Sequence, residues 1–247
     1  SDDEEFLAFY TALRHREGRG SEQKDYYFSL PFVESGPFVD QWRVRANSME
    51  WLLSRLGTRR PLRIADVGAG NCWLTRRLSE RGDIVVAVDI SDDRLDGLGA
   101  GRHFLETGIG FERICMPMEQ LPFRAGSLDL IVLNASLHYT ADRFRLLHDY
   151  AGLLRNGGEI VVLDSPVYHE AAAGRQMMSD RGGHQRSSFL TRAEIASWHQ
   201  ETPFDVTVEE RRLPLRERSR SGLFRLRHRR EVASMPRICL TMPHESV

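Results

Sequence analysis

The segment Leu62-Arg-Ile-Ala-Asp-Val67 runs directly into Gly68-Ala-Gly70, and this junction constrains the chain more than any other stretch. A mainly apolar run meeting two glycines in three positions describes a buried strand that has to turn sharply. Beyond it, from Asn71 to Arg81, Trp73, Leu74 and Leu78 recur at helical spacing, so the turn leads into a helix. Strand, glycine turn and helix together open an α/β sheet, whose ligands gather beyond the carboxyl ends of the strands.

The alternation continues downstream. Ile84–Asp89, Arg113–Met116, Leu128–Asn134 and Glu159–Leu163 read as strands, and Asp92–Gly99 and Asp142–Leu154 as helices, the latter stopping at Asn156-Gly-Gly158. Apolar strands between helices indicate a parallel sheet covered on both faces. Ahead of it, Phe6, Phe9, Tyr10 and Leu13 recur at helical spacing, a loop surrounds Pro31 and Pro37, and a second helix covers Trp42–Leu56. Residues 1–58 are therefore expected to form a helical cap on an α/β domain of residues 59–247. After Asp164, residues 165–190 are rich in Gly, Ser, His and Met and form a candidate lid, with Tyr168, His169, Met177, Met178 and His184 available to an acceptor pocket. Thr191 then N-caps a helix through Trp198, with Glu194 completing a capping box. Phe204–Glu210 and Arg237–Met242 read as closing strands, joined by an arginine-dense hairpin over residues 211–230.

Composition removes several functions. The 247 residues, 41% hydrophobic, suit one α/β domain with additions, and a net charge of -1 gives no general attraction to nucleic acid or an acidic membrane. The arginines from Arg216 to Arg230 could read a phosphate, a carrier protein or RNA, but with no stacking aromatic beyond Phe224 a solvated hairpin is the better reading. Cys72, Cys115 and Cys239 form no disulfide framework or zinc cluster, which fits a reducing cytoplasm. No apolar run approaches the ~20 residues of a membrane span. Lys24 is the only lysine, which leaves almost no place for Schiff-base chemistry or a P-loop phosphate clamp.

The turn itself selects a ligand. A dinucleotide fingerprint needs a third glycine three residues after Gly70, and Trp73 stands there, against NAD or FAD. S-adenosylmethionine has no phosphate, so its turn needs only room for an amino-acid end and polar groups for an ammonium and a carboxylate, which Asp66-x-Gly68-x-Gly70 offers. Asp89 follows Gly70 by 19 residues, at the end of the next strand, where a carboxylate can accept from both ribose hydroxyls.

Four stretches, Ile64–Gly70, Val85–Ile90, Glu119–Leu130 and Leu153–Ile160, resemble the class I S-adenosylmethionine-dependent methyltransferases, especially the small-molecule group with a methyltransferase type 11 domain. The resemblance covers about residues 62–163. It implies a Rossmann-like, doubly wound, mostly parallel seven-stranded sheet, with the cap in front and the lid inserted after strand five. It also implies that Gly68, Ala69 and Gly70 face the methionine end, Asp89 the ribose, Ile90 one face of the adenine, and Met118 and Glu119 its other side, with Asp66, Asn71 and Asn134 in the same site. Pro117 departs from the family's pattern, which has an acidic residue two places before Glu119 for the adenine amino group. Adenine recognition then leans on backbone near Met118.

Methyl transfer is a direct displacement, so the protein mainly aligns the reactants and excludes water. His138, in Asn134-Ala-Ser-Leu-His-Tyr139 beyond the fourth strand, is the candidate general base, or else a pocket wall; Tyr139 is packing or a substrate wall. In the cap, Arg45 is a candidate partner for the cofactor carboxylate, beside Tyr26, Tyr27, Phe28, Trp42 and Arg43. The fourth-strand exit offers Asn, Ser, His and Tyr rather than gathered carboxylates, so no metal is expected. The expected partner is a small-molecule acceptor at O, N or C. An RNA or carrier-bound substrate, or a non-catalytic cofactor-binding subunit, are the alternatives; the sequence gives no oligomeric state.

Overall fold

The computed structural model describes residues 2–140, 142–181, 188–211 and 231–243, so the arginines from Arg216 to Arg230, and His184, lie outside the described residues. Three helices come first, α1 (Asp2–Arg16), α2 (Lys24–Ser29) and α3 (Val39–Leu56). The alternating core follows as β1 (Arg63–Val67), α4 (Trp73–Glu80), β2 (Ile84–Asp89), α5 (Arg102–Leu105), β3 (Glu112–Cys115), β4 (Leu128–Asn134), α6 (Arg143–Leu153) and β5 (Leu154–Leu163). Then come β6 (Val167–Tyr168), α7 (Ala171–Arg181), β7 (Leu190–Thr191), α8 (Arg192–Glu201), β8 (Asp205–Glu209) and β9 (Arg237–Thr241).

Seven strands form one sheet in the order β3-β2-β1-β4-β5-β9-β8. The first five are parallel, and β9 runs antiparallel to both β5 and β8. The chain winds outward from β1 through β2 to β3, then returns to place β4 on the other side of β1. The strand order therefore reverses between β1 and β4, and a crevice is left beyond their carboxyl ends.

Strand periodicity assigns the core residues to two faces. Ile64, Leu130, Val132, Val161 and Leu163 meet Trp42, Met49 and Leu52 of α3 and Trp73, Leu74 and Leu78 of α4. Their neighbours Ala65, Val67, Ile131, Leu133, Ile160 and Val162 meet Leu146, Leu147 and Tyr150 of α6 and Ile195 and Trp198 of α8. The bulk that Trp73 puts where a dinucleotide site has glycine is used for packing: its ring stands edge-on to Trp42, centroids 5.7 Å apart, and ties α3 to the helix leaving the glycine turn.

Three local expectations differ. Residues 92–97 are not helical; a short 3-10 turn covers Leu98–Gly101 before α5. Asp93 Oδ1 accepts from the amides of Leu95 and Asp96, both at 2.8 Å, and these side-chain bonds outcompete a helix. Strand β5 starts at Leu154, directly after α6: Leu154 pairs with Leu128, Glu159 with Leu130, and the residues between bulge from the ladder around Gly157, whose φ is +70°. The stretch after Asp164 is more ordered than its composition suggests, since β6 and β7 pair in parallel and alanines 171–173 and two methionines favour α7. The capping box at Thr191 is present as expected.

Because both rings are buried, Trp42→Ala should lower the unfolding free energy by about 3–5 kcal/mol. Denaturant titration measures it, and a loss under about 1 kcal/mol would show that α3 is not part of the sheet's core.

Candidate functional site

A cleft with about 640 Å³ of empty space, partly continuous with solvent, opens at the reversal point. Gly68 and Gly70 line it from the turn, Val88, Asp89 and Ile90 from the end of β2, Met116 to Glu119 from the segment after β3, and Ala135, Ser136 and Tyr139 from the segment after β4. Phe6 and Tyr10 of α1 complete the wall.

The turn is built for close approach. Gly68 has φ +74°, donates its amide to Val88 O at 2.8 Å, and a Cβ on it would come within 2.3 Å of the Ser136 Cβ. Ser136 is itself held in place by donating Oγ to Val67 O at 2.7 Å. Gly70, at φ +52°, donates its amide to Asp89 Oδ2, and Ser91 donates its amide to Oδ1, both at 2.8 Å. Two backbone donors therefore fix the Asp89 carboxylate and leave other lone pairs facing the cleft. Burial raises its pKa, and these two bonds oppose the rise.

Gly68, Gly70, Asp89, Ile90, Met118, Glu119 and Tyr139 thus come together in the cleft, whereas Asp66, Ala69, Asn71, Asn134, Arg45 and His138 lie outside its lining. Asp66 supports the turn from beneath, accepting from Thr75 Oγ1 at 2.6 Å, and Asn71 Oδ1 accepts from the Trp73 amide at 3.3 Å. Tyr150 donates its hydroxyl to Met118 O at 2.7 Å, which fixes the backbone bordering the cleft there.

His138 packs on Tyr139, ring centroids 4.3 Å apart, with Nδ1 lying 3.3 Å from Ser165 Oγ. Its carbonyl accepts from Ser188 N and Oγ at 3.0 and 2.9 Å, which docks the chain ahead of β7 onto this loop. Arg143 donates to Ser188 Oγ and pairs with Glu194, so the dock is anchored to α8.

Helix α1 covers the cleft through aromatic contacts. Phe6, Tyr10 and Tyr139 lie 5.7–5.8 Å apart, centroid to centroid, and Arg14 pairs with Asp96 while His15 Nε2 lies 3.0 Å from Asp93 Oδ2. The sequence reading did not assign Phe6, Tyr10, Ala135 or Ser136 to the site. The i,i+4 spacing of Phe6 and Tyr10 signals a helix face, but not what that face covers.

A second polar group lies beside the cleft, under α3. Arg45 stacks over the Trp42 ring at 4.6 Å, and no carboxylate stands within ion-pair distance of it among the described residues. Ser48, further along α3, donates to Asp164 Oδ1 at 2.6 Å. Cys72, Ala135 and Asp164 are the non-glycine residues with positive φ among those described, and all three stand just beyond the sheet's carboxyl edge, where strain collects at binding sites. No group of three or more metal-ligating side chains occurs among the described residues, and no described helix is long and apolar enough to cross a membrane.

Comparison with known proteins agrees with this geometry. Residues 65–162 match the family model described as a methyltransferase domain. The chain is 26% identical over 176 residues to the ubiquinone biosynthesis O-methyltransferase of Erwinia tasmaniensis, covering 68% of this chain and 72% of that enzyme. Against the enzyme of that name from Coxiella burnetii, identity is 25% and the alignment spans 55% of this chain and 60% of the relative. In fold it is similar to the YcgJ protein of Bacillus subtilis, with TM-score 0.65 and 14% identity over 81% of this chain and 99% of that one. It is similar also to phosphoethanolamine N-methyltransferase 2 of Haemonchus contortus solved with S-adenosyl-L-methionine, with TM-score 0.63 and 17% identity over 80% and 53% of the two chains.

Two groups, the half-buried His138 and the buried Asp66, give opposite pH dependences. Burial, and secondarily Arg143, pushes the His138 imidazole down to about 4. Its stabilisation is therefore full above its unfolded pKa of about 6.5 and is lost as pH falls towards about 4. Burial pushes Asp66 up to about 6, against the Thr75 hydrogen bond. Its stabilisation is full below about 4 and lost as pH rises through about 6. The opposed slopes offset each other in the wild type, so His138→Gln should make stability fall with rising pH between about 4 and 6. Urea titrations across that range test this, and a profile parallel to wild type refutes it. At the turn, Gly68→Ala should cost more than about 2 kcal/mol, from overlap with Ser136 and left-handed strain; an unchanged melting temperature would contradict that contact.

Proposed function

We propose that the chain, whose residues 65–162 match a methyltransferase-domain model, uses S-adenosylmethionine to move a methyl group to an oxygen of a small-molecule acceptor at the cleft between β1 and β4. The observation that carries this reading is the Asp89 carboxylate, held by the Gly70 and Ser91 amides at the rim of a turn too tight for any side chain at Gly68. The preference for oxygen rests on the O-methyltransferase relatives. When bound, S-adenosylmethionine supplies an electrophilic methyl carbon on a sulfonium.

The residues then divide the work. Asp89 accepts from the ribose hydroxyls, Ile90 and Met118 enclose the adenine, and Glu119, exposed, borders its rim. Gly68, Ala69 and Gly70 carry the methionyl part, with Arg45 assigned to its carboxylate; a guanidinium stacked on Trp42 with no carboxylate at ion-pair distance among the described residues has a charge to satisfy, and the ligand has one carboxylate to offer. Asp66 and Asn71 act through the turn they support. Phe6, Tyr10 and Tyr139 close the cleft over the reacting atoms and exclude water, which strengthens the electrostatics within. His138 acts as a positioning residue: its imidazole stays neutral near pH 7, lies against Ser165, and steadies Tyr139.

Calorimetric titration with S-adenosylmethionine, followed by measurement of S-adenosylhomocysteine release with a panel of hydroxylated acceptors, tests the reading. Asp89→Ala should weaken cofactor binding by about 1.5–3 kcal/mol, the worth of hydrogen bonds to a charged group. Unaltered affinity in that variant, or saturable binding of a nicotinamide cofactor instead, sinks the assignment.

A further inference from the structure

Tyr10 of α1 lines the cleft and is half-buried, yet its hydroxyl bonds to none of the described residues. That oxygen is not among the polar atoms shut off from solvent, so it stays open to a ligand. The ring, by contrast, is fixed. Phe6 lies 5.8 Å away and Tyr139 stands edge-on at 5.7 Å, centroid to centroid, while the Arg14 guanidinium, itself paired with Asp96, sits 5.4 Å from the ring centre. A polar atom on an immobilised ring at a largely apolar wall is costly to leave unmet, unless something that enters the cleft completes it. The groups that act on this hydroxyl locate it: Tyr139, Arg14, Asp96 and Asp89 all do so electrostatically. Asp89 borders the cleft beside the glycine turn, and Tyr139 belongs to its outer wall. A hydroxyl under the influence of both stands between the floor and the wall. Ser136, the other hydroxyl lining that end, already donates to Val67 O.

The proton chemistry of the same wall limits what can be methylated. Burial, reinforced by Tyr139, Asp96 and Asp89 and opposed by Arg14, holds the Tyr10 phenol well above its ordinary value, and burial raises Tyr139 too. Both therefore stay protonated at neutral pH and act as donors. Of the two carboxylates lining the cleft, Asp89 is tied to two amides and Glu119 is exposed at the rim. An aliphatic hydroxyl, as weak an acid as water, meets no base among the described lining residues strong enough to ionise it. A phenol ionises at about pH 10 in water, and lower where a donor meets its oxygen. Its ring also suits a wall of Phe6, Tyr10 and Tyr139, against which a second aromatic packs edge-on or offset. The charged side chains among the described lining residues are both acidic, so an acceptor carrying a carboxylate or phosphate is repelled there.

We propose that the acceptor is an uncharged phenol and that Tyr10 receives it, donating its hydroxyl in a hydrogen bond to the phenol oxygen. The inference rests on the methyltransferase reading above and narrows the acceptor from any small hydroxylated molecule to an aromatic one. The phenol gives its proton to water, and the hydrogen bond from Tyr10 favours the ionised oxygen and sets its direction. An oxygen electron pair then forms the bond to the methyl carbon while the carbon–sulfur pair stays on sulfur, so a neutral ether and a neutral thioether result.

Absorbance and turnover test the two halves separately. The full chain, loaded with S-adenosylhomocysteine, is titrated with p-nitrophenol, whose ionised form is coloured. The bound phenol should ionise about one pH unit lower in wild type than in Tyr10→Phe, the equivalent of a roughly tenfold weaker hold on the ionised form. Equal ionisation in the two proteins, or no binding of the phenol to wild type, overturns the role of Tyr10. With S-adenosylmethionine and a series of ring-substituted phenols, S-adenosylhomocysteine release should rise with pH at a point that follows each phenol's own acidity, and benzyl alcohol and cyclohexanol should give none. A rise at one fixed pH across the series, release with the alcohols as fast as with the phenols, or no release with any phenol overturns the acceptor class, and the wild type alone decides this if the variant fails to fold. Release with an alcohol and with no phenol leaves the methyltransferase reading standing without this inference; wild type that binds no S-adenosylhomocysteine overturns both.

Discussion

The approach of Gly68 to Ser136 is the constraint on which the rest of the site depends. β1 and β4 are neighbours in the sheet, and the chain leaves them in opposite directions, so their carboxyl ends bound a crevice that exists only if the two exits lie flat against each other. Gly68 permits this because a Cβ there would fall 2.3 Å from Ser136, and Ser136 secures it by bonding back to Val67 O. With that contact made, the Gly70 amide reaches Asp89 on the far side, and one turn places the floor of the cleft and its carboxylate together.

The cap uses the same elements. Trp73, first residue of α4, meets Trp42 of α3, and α3 in turn carries Arg45 and Ser48 to the ends of β4 and β5. Helix α1 is held differently, by Arg14–Asp96, His15–Asp93 and the aromatic contacts to Tyr139, and it supplies the outer wall. The loop that accepts the Arg14 and His15 contacts is the one whose Asp93 side chain displaces a helix. Local hydrogen bonding there creates the docking point for the part of the wall that comes from the chain's start.

The strained positions have a common logic. Cys72, Ala135 and Asp164 each take a left-handed conformation where a strand or its turn ends, and each reorients the chain at the edge of the site. At Asp164 the turn produces a buried carboxylate half satisfied by Ser48; at Ala135 it brings Ser136 under the glycine turn.

The core and the glycine-turn and β2 side of the cleft were legible from sequence because their signals are local. A glycine turn after an apolar strand, an acidic residue at the next strand's end and two-residue alternation all depend on neighbours close in the chain. The β6–β7 pairing after Asp164 and the turn at residues 92–97 were not legible, since there the outcome hangs on strand pairing and on which side chain wins a backbone amide. That Phe6 and Tyr10 meet Tyr139, and Asp164 meets Ser48, was decided only by tertiary structure. These residues meet across separations of a hundred residues or more, and nothing in the local pattern of an amphipathic helix or a strand end says which distant group it will face. The turn Asp66–Gly70 thus determined by itself where a ligand would sit, and the folding of the cap over the sheet determined what encloses it, because burial and charge pairing are properties of the assembled layers.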